Sequence, residues 1–148
     1  MNPLTLAVSK VIILANGNGS ASATGFFYKR GEDIFFITNK HVVKSGVNFN
    51  DLTINPNYWV RDGHCKAGTK ITIRANDLQR ITYLHTDNQV DIAVLWIIGI
   101  NGFVNKLTDL TNDLQVSSIL CINSIKQTEI SAEVADNAFI IGYPHGHN

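Results

Sequence analysis

Two apolar runs separated by a short turn constrain the fold of this chain most strongly. Residues 25–29 and 34–38 are dominated by aromatic and β-branched side chains, and Arg30-Gly31-Glu32-Asp33 stands between them. Two such runs joined by a short glycine-containing loop are typical of a β-hairpin. The sequence therefore predicts an antiparallel pair of strands over residues 25–38.

Further short strands are predicted along the rest of the chain. The first candidate, residues 11–15, is followed by Asn16-Gly17-Asn18-Gly19-Ser20, whose residues tolerate positive φ and break a strand. The other candidates are residues 58–60, 70–74, 81–84, 91–98, 118–122 and 139–143. A closed antiparallel barrel uses such a set, because closure pairs every edge strand. We expect an all-β fold.

The pattern changes after Gly99. Leu107, Leu110 and Leu114 stand three and four residues apart, which indicates a short amphipathic helix or a linker that docks one apolar edge. We therefore expect a first β domain over residues 1–104, a linker or short helix over 105–116, and the beginning of a second β domain over 117–148.

Charge and length exclude several classes of protein. Twelve Lys and Arg balance twelve Asp and Glu, and no basic run is present, so a nucleic-acid partner is not expected. The first residues lack a basic region followed by a long apolar stretch, so neither a signal peptide nor a membrane span is expected. Cys65 and Cys121 are then expected to be reduced thiols in a cytoplasmic protein.

Two titratable residues stand at the edges of apolar runs. His41 follows the run 34–38, and Asp91 begins the run Asp91-Ile92-Ala93-Val94-Leu95. Histidine before aspartate is the chain order of the chymotrypsin-type triad, in which the serine comes last. There the imidazole takes the proton of the serine hydroxyl, and the carboxylate fixes the tautomer of the imidazole. Asp87 is the competing carboxylate, but it lies in a polar turn without an apolar run behind it.

These residues belong to four blocks that resemble the trypsin-like serine peptidases of the chymotrypsin fold, in particular their cytoplasmic bacterial-type branch. The blocks are Ala23-Thr24-Gly25-Phe26-Phe27, Ile37-Thr38-Asn39-Lys40-His41-Val42-Val43, Val90-Asp91-Ile92-Ala93-Val94-Leu95 and Ile140-Ile141-Gly142-Tyr143-Pro144-His145-Gly146. The resemblance implies a complete first barrel with His41 as general base and Asp91 as orienting carboxylate. It also implies the start of a second barrel, truncated here, because two-barrel β enzymes usually run to roughly 200–250 residues.

The nucleophile of that family is missing from these 148 residues. The resemblance places it in a Gly-x-Ser-Gly-type loop downstream of the Gly142-Tyr143-Pro144 block, with the oxyanion-hole donors and the specificity pocket. Ser20 and Ser22 precede the histidine, and the remaining candidates have no neighbouring glycine: Ser117, Ser118, Ser124 and Ser131. We therefore expect an N-terminal part of a serine endopeptidase, which acts on peptides or proteins when complete and is inactive alone.

Alternatives to this interpretation differ in kind. The first alternative is a degenerate relative whose exposed second-barrel strands bind a partner or a second copy of the chain. The second alternative is one half of a split protease that another chain completes. A thiol nucleophile is not expected, because Cys65 lies between His41 and Asp91 and Cys121 lies in an apolar strand. No metal or other cofactor is expected, since His64, Cys65, His85, His145 and His147 lack the spacing of a zinc site.

Overall fold

The computed structural model describes residues 8–15, 18–47, 51–60, 65–67, 70–100, 102–103, 116–119 and 121–124. Within these ranges the chain forms ten strands and two α-helices. In chain order they are β1 (Val8–Ala15), β2 (Asn18–Arg30), β3 (Asp33–Thr38), α1 (Lys40–Val47), β4 (Asp51–Asn55), β5 (Asn57–Val60), β6 (Cys65–Ala67), β7 (Ile71–Ile73), α2 (Ala75–Ile81), β8 (Thr82–Leu84), β9 (Ala93–Trp96) and β10 (Val116–Ile119). Two short 3-10 helices, Ile97–Gly99 and Ile122–Ser124, follow β9 and β10.

The strands form two sheets. Seven strands pair in the order β7-β4-β1-β2-β3-β9-β8, and a smaller sheet has the order β10-β5-β6. Every pairing in the described ranges is antiparallel. The predicted predominance of β structure is therefore confirmed, while no pairing between β7 and β8 closes the larger sheet within the described residues.

The predicted hairpin is present as β2 and β3. Its register runs from Phe26 opposite Ile37 to Arg30 opposite Asp33, so Gly31 and Glu32 make a two-residue turn. Gly31 has a φ of 60°, which the first position of such a turn requires and which glycine adopts without steric cost. The turn chemistry thus fixes the pairing register of the central strands.

One face of the larger sheet covers the hydrophobic core. Along β3 the side chains alternate, with Ile34, Phe36 and Thr38 buried and their neighbours more exposed. The rings of Phe27 and Phe36 pack with their centroids 4.8 Å apart and their planes tilted by 58°. The core continues under both helices through Val42, Val43, Leu78 and Ile81.

Both helices are departures from the sequence prediction. His41 was expected at the end of a strand and instead occupies the first turn of α1, because β3 ends at Thr38. Residues 81–84 were expected to be a strand, but Ile81 is the last residue of α2 and only Thr82–Leu84 pair with β9. Helices of seven and eight residues contain too few apolar positions to show a 3.6-residue period clearly.

The remaining elements differ from their predictions mainly in length. β2 begins at Asn18, so the predicted break over residues 16–20 is shorter than expected. β9 covers only Ala93–Trp96 of the predicted 91–98, and the strands β4 and β6 were not predicted. β10 ends at Ile119, two residues before Cys121, which was expected inside it.

The C-terminal predictions lie mostly outside the described residues. These are the strand over 139–143 and the helix or linker over residues 105–116, of which only Val116 is described, as the first residue of β10. The domain boundaries therefore stay predictions. Within the described part, no helix is long and apolar enough to cross a membrane.

Candidate functional site

His41 and Asp91 lie in direct contact. The distance between His41 Nδ1 and Asp91 Oδ2 is 2.6 Å. The backbone N–H of His41 donates a second hydrogen bond, of 3.1 Å, to Asp91 Oδ1. A single residue therefore engages both carboxylate oxygens, which fixes the carboxylate relative to the imidazole ring.

The sheet explains why two residues so distant in sequence meet. β3 pairs with β9, and Thr38 stands opposite Ala93 at the end of the ladder. His41 lies just beyond the end of β3, and Asp91 lies just before the start of β9. Because the strands are antiparallel neighbours, these two chain segments leave the sheet at the same edge.

Three consecutive residues fasten the loop that carries Asp91. The side-chain amide of Asn39 donates to the backbone oxygen of Asp91 at 3.0 Å. The Lys40 ammonium donates to the backbone oxygen of Asp87 at 2.6 Å, and His41 holds the carboxylate itself. Lys40 is buried despite its charge, whereas the His41 side chain is 67% exposed. The ring is thus held in place on one side and accessible from solution.

Asp87, the competing carboxylate, makes its hydrogen bonds within its own loop. Its Oδ1 accepts the backbone N–H of Gln89 at 2.9 Å, and its backbone N–H donates to His85 Nδ1 at 3.1 Å. The backbone N–H of His85 donates to the oxygen of Ile92 and closes the base of the loop. The contact with His41 is therefore made by Asp91 and not by Asp87.

The surroundings of Asp91 keep its carboxylate ionised. The hydrogen bond with the His41 ring lowers the pKa of Asp91 most, and it prevails over the opposing effect of desolvation. The backbone N–H groups of His41 and Lys40 and the charge of His41 lower this pKa further. Beside an ionised carboxylate a neutral imidazole keeps its proton on Nδ1, which leaves Nε2 as the basic nitrogen. The arrangement can therefore accept a proton at Nε2 and stabilise the resulting imidazolium.

The same contacts also serve the helix. The backbone oxygen of Asn39 accepts the N–H of Val43, so Asn39 stands at the N-cap of α1. Asp91 accepts the N–H of His41 in the first turn, where the helix dipole favours a negative charge. Asp91 thus satisfies helix donors as well as orienting a ring.

Sequence reasoning missed Asn39 and Lys40 as supports of this site. Both donate hydrogen bonds to backbone oxygens. Because any residue type supplies such an oxygen, no side-chain pattern in the sequence indicates these contacts. Two further serines were not considered as nucleophiles from the sequence, and neither lies in a loop. Ser9 is buried in β1, and Ser45 lies within α1.

The surroundings of Cys121 do not favour a thiol nucleophile. Cys121 is buried, and burial raises the pKa of its thiol to about 11, with Lys29 acting weakly in the opposite direction. Among the described residues, no group of three or more His, Cys, Asp or Glu side chains lies close enough to hold a metal ion. His64, His145 and His147, which were considered from the sequence, lie outside those residues.

The chain was also compared with known proteins. No protein-family model matches it, and neither the curated proteins nor the solved structures give a significant match. The function is therefore inferred from the chemistry of the site.

Proposed function

We propose that this chain is the part of a trypsin-like serine endopeptidase that carries the general base, His41, and its orienting carboxylate, Asp91. The observation that supports the proposal is the 2.6 Å contact between His41 Nδ1 and Asp91 Oδ2 on a ring that is 67% exposed. The larger sheet consists of seven antiparallel strands, and its closure into the first barrel of a chymotrypsin-like fold is part of the proposal. A cytoplasmic location is a further part of it.

The chemistry of such an enzyme divides into steps that these residues can perform. Nε2 of His41 takes the proton of a serine hydroxyl as its oxygen attacks the carbonyl carbon of a peptide bond. The positive charge on the ring is stabilised by Asp91, whose carboxylate stays ionised. The ring then gives the proton to the leaving amine as the C–N bond breaks, which leaves an acyl-enzyme ester. In deacylation the ring takes a proton from the attacking water and returns it to the serine oxygen as the ester bond breaks. No cofactor takes part.

The serine has to come from outside these 148 residues, because no Gly-x-Ser-Gly motif occurs in them. It is supplied either by further sequence of the native protein or by a second chain. In both cases the exposed side of His41 faces the part that brings the serine. We expect the 148 residues alone to show no turnover of peptide or ester substrates.

A binding module is the second candidate function. The observation that favours it is the position of the Asp91 carboxylate on the backbone N–H groups at the start of α1. A carboxylate at a helix N-terminus stabilises the fold without any catalytic duty. In that case His41 and Asp91 hold α1 against the loop, and function lies on another surface.

Labelling of the protein from its native source separates the two. A fluorophosphonate probe reacts covalently with an activated serine, and peptide mapping identifies the labelled residue. The endopeptidase proposal predicts a labelled serine in the native protein or in a co-purifying chain, and predicts that His41→Ala abolishes the labelling. Absence of a labelled serine, or labelling that persists in His41→Ala, would contradict it and favour the binding module. Lys44→Ala, an exposed change in the same helix, is the matched control.

A further inference from the structure

A pocket opens on the outer face of the larger sheet, where β3, β9 and β8 lie side by side. It has a volume of about 270 Å³ and is lined by Asp33, Phe35, Tyr83 and Trp96. Three of its four lining residues are aromatic, and the fourth carries a carboxylate. Such a composition is unusual for a solvent-facing sheet surface, where polar side chains normally alternate with the buried ones.

The register of the strands explains how these side chains meet. Phe35 stands opposite Trp96, and Tyr83 stands opposite Val94, two residues before Trp96 on the same face. The indole N–H of Trp96 donates a 2.8 Å hydrogen bond to Asp33 Oδ1. Tyr83 is 62% exposed, so it forms an open wall of the pocket. The carboxylate is thus fixed beside the half-buried indole ring, and the ring of Tyr83 remains accessible from solution.

This arrangement has the features that recognise a planar cation. Aromatic faces are negative because of their quadrupole, and they attract a cation placed above them. A guanidinium group stacks on such faces and donates in parallel to a carboxylate, whereas an ammonium is a compact, strongly hydrated charge. Asp33 uses Oδ1 for the indole N–H, and a carboxylate has further lone pairs for a second donor.

We propose that this pocket binds the guanidinium group of an arginine side chain on a peptide or protein partner. Arg30 stands opposite Asp33 in the β2–β3 ladder, yet neither of the two ion pairs found among the described residues involves Asp33. Asp33, which supplies the carboxylate, is the first residue of β3, and His41 lies beyond Thr38 at its end, so roughly 17 Å of strand separates this carboxylate from the end of β3 next to His41. The proposal therefore does not depend on the function assigned to His41 and Asp91.

Titration with N-acetyl-arginine amide tests this proposal, with the neutral isostere N-acetyl-citrulline amide as its control. The readout is the indole N–H resonance of Trp96 in two-dimensional NMR spectra, and the other tryptophan, Trp59, lies in β5 of the second sheet and serves as the internal reference. We expect the arginine derivative to shift the Trp96 signal in a saturable way and the citrulline derivative to bind at least about tenfold more weakly. Equal binding of both compounds, or no shift at Trp96, would overturn the proposal.

Matched variants locate the binding. Asp33→Asn keeps an acceptor for the indole N–H but removes the charge, and Tyr83→Ala removes the exposed wall. Each variant is expected to lower the affinity for the arginine derivative about fivefold or more. Tyr28→Ala is the control, because Tyr28 is an exposed tyrosine opposite Phe35 on the same face but does not line the pocket. Equal weakening by Tyr28→Ala, or unchanged affinity in both pocket variants, would place the binding elsewhere and overturn the proposal.

Discussion

The Lys40 ammonium donates a 2.6 Å hydrogen bond to the backbone oxygen of Asp87. The same oxygen accepts the N–H of Val90, so it holds the turn of the loop and the first residue of α1 at once. Lys40 is only 7% exposed, and its aliphatic stem therefore packs while its charge reaches a polar partner. The position of the Asp91 loop relative to α1 depends on this buried lysine.

Lys40→Met tests that dependence. Methionine preserves the packing of the stem but removes the donor, so we expect a loss of about 1–2 kcal/mol in the free energy of unfolding. Amide hydrogen exchange at Val90 should accelerate as the loop loosens. Lys44→Met, at an exposed position of the same helix, should leave the free energy of unfolding and the exchange rate at Val90 unchanged. Equal effects of the two variants in urea unfolding would show that Lys40 is not an anchor.

The lowered pKa of Asp91 makes the stability depend on pH in the acidic range. A carboxylate whose folded pKa lies below its unfolded value stabilises the fold above the unfolded value. Its contribution is lost as the pH falls from the unfolded value, near 3.8, through the folded pKa. Asp91→Asn should therefore flatten the acidic limb of the stability profile measured by urea unfolding. Glu32→Gln, a change of an exposed carboxylate in the β2–β3 turn, should leave the limb as steep as in the wild type.

Asp91→Asn also separates the proposed catalytic role of this residue from its role at the helix. Asparagine keeps an oxygen that can accept the helix N–H groups, but it cannot hold the productive histidine tautomer. In the protein from its native source, the endopeptidase proposal predicts that fluorophosphonate labelling slows by about 10⁴-fold, the loss in turnover found when the triad carboxylate of the archetypal serine protease is replaced. The free energy of unfolding at neutral pH should change much less than labelling does. Unaltered labelling kinetics in this variant would leave Asp91 with a structural role only.

Gly25 has a packing role in the strand next to the site. A Cβ at this position would lie 2.7 Å from the backbone oxygen of Ile37 and closer still to the ring of Phe36. Gly25→Ala should therefore destabilise the fold by about 1–3 kcal/mol in urea unfolding. If the ring is the obstacle, combining Gly25→Ala with Phe36→Leu should destabilise the fold by less than the sum of the two single losses. Additive effects of the two changes would point to the backbone contact instead.

Cys121 should resist alkylation in the folded state. Burial raises the pKa of its thiol to about 11, and only the thiolate reacts with iodoacetamide. At pH 8 we expect its modification to be at least about 100-fold slower in the native chain than in urea. Peptide mapping by mass spectrometry distinguishes it from Cys65. Similar rates in both states would mean that the thiol is not buried as described.

The parts that sequence predicts well are those with local causes. The β2–β3 hairpin follows from two apolar runs and the glycine at the turn, and all of these lie within a few residues of one another. The pairing of Asp91 rather than Asp87 with His41 also had a local indication, since the strand that follows Asp91 anchors it beside β3.

The parts that sequence misses depend on distant partners. In α1 the adjacent Val42 and Val43 are β-branched and favour a strand, but both become buried against the core while Asp91 satisfies the helix donors. In α2 only Leu78 and Ile81 mark the buried side. Tertiary contacts therefore prevail over local propensity in both helices, of which α1 carries His41.

The ladder between β3 and β9 also determines when the site can form. His41 and Asp91 are 50 residues apart in sequence, and the segment between them includes β4 to β8 and α2. Bringing such distant segments together costs chain entropy, which makes their pairing a late event, whereas the β2–β3 hairpin closes within a few residues. A chain that has folded only its first hairpin therefore has the histidine but no carboxylate beside it. The imidazole of His41 is oriented by Asp91 only when the larger sheet has assembled, so a partly folded chain carries an unoriented ring.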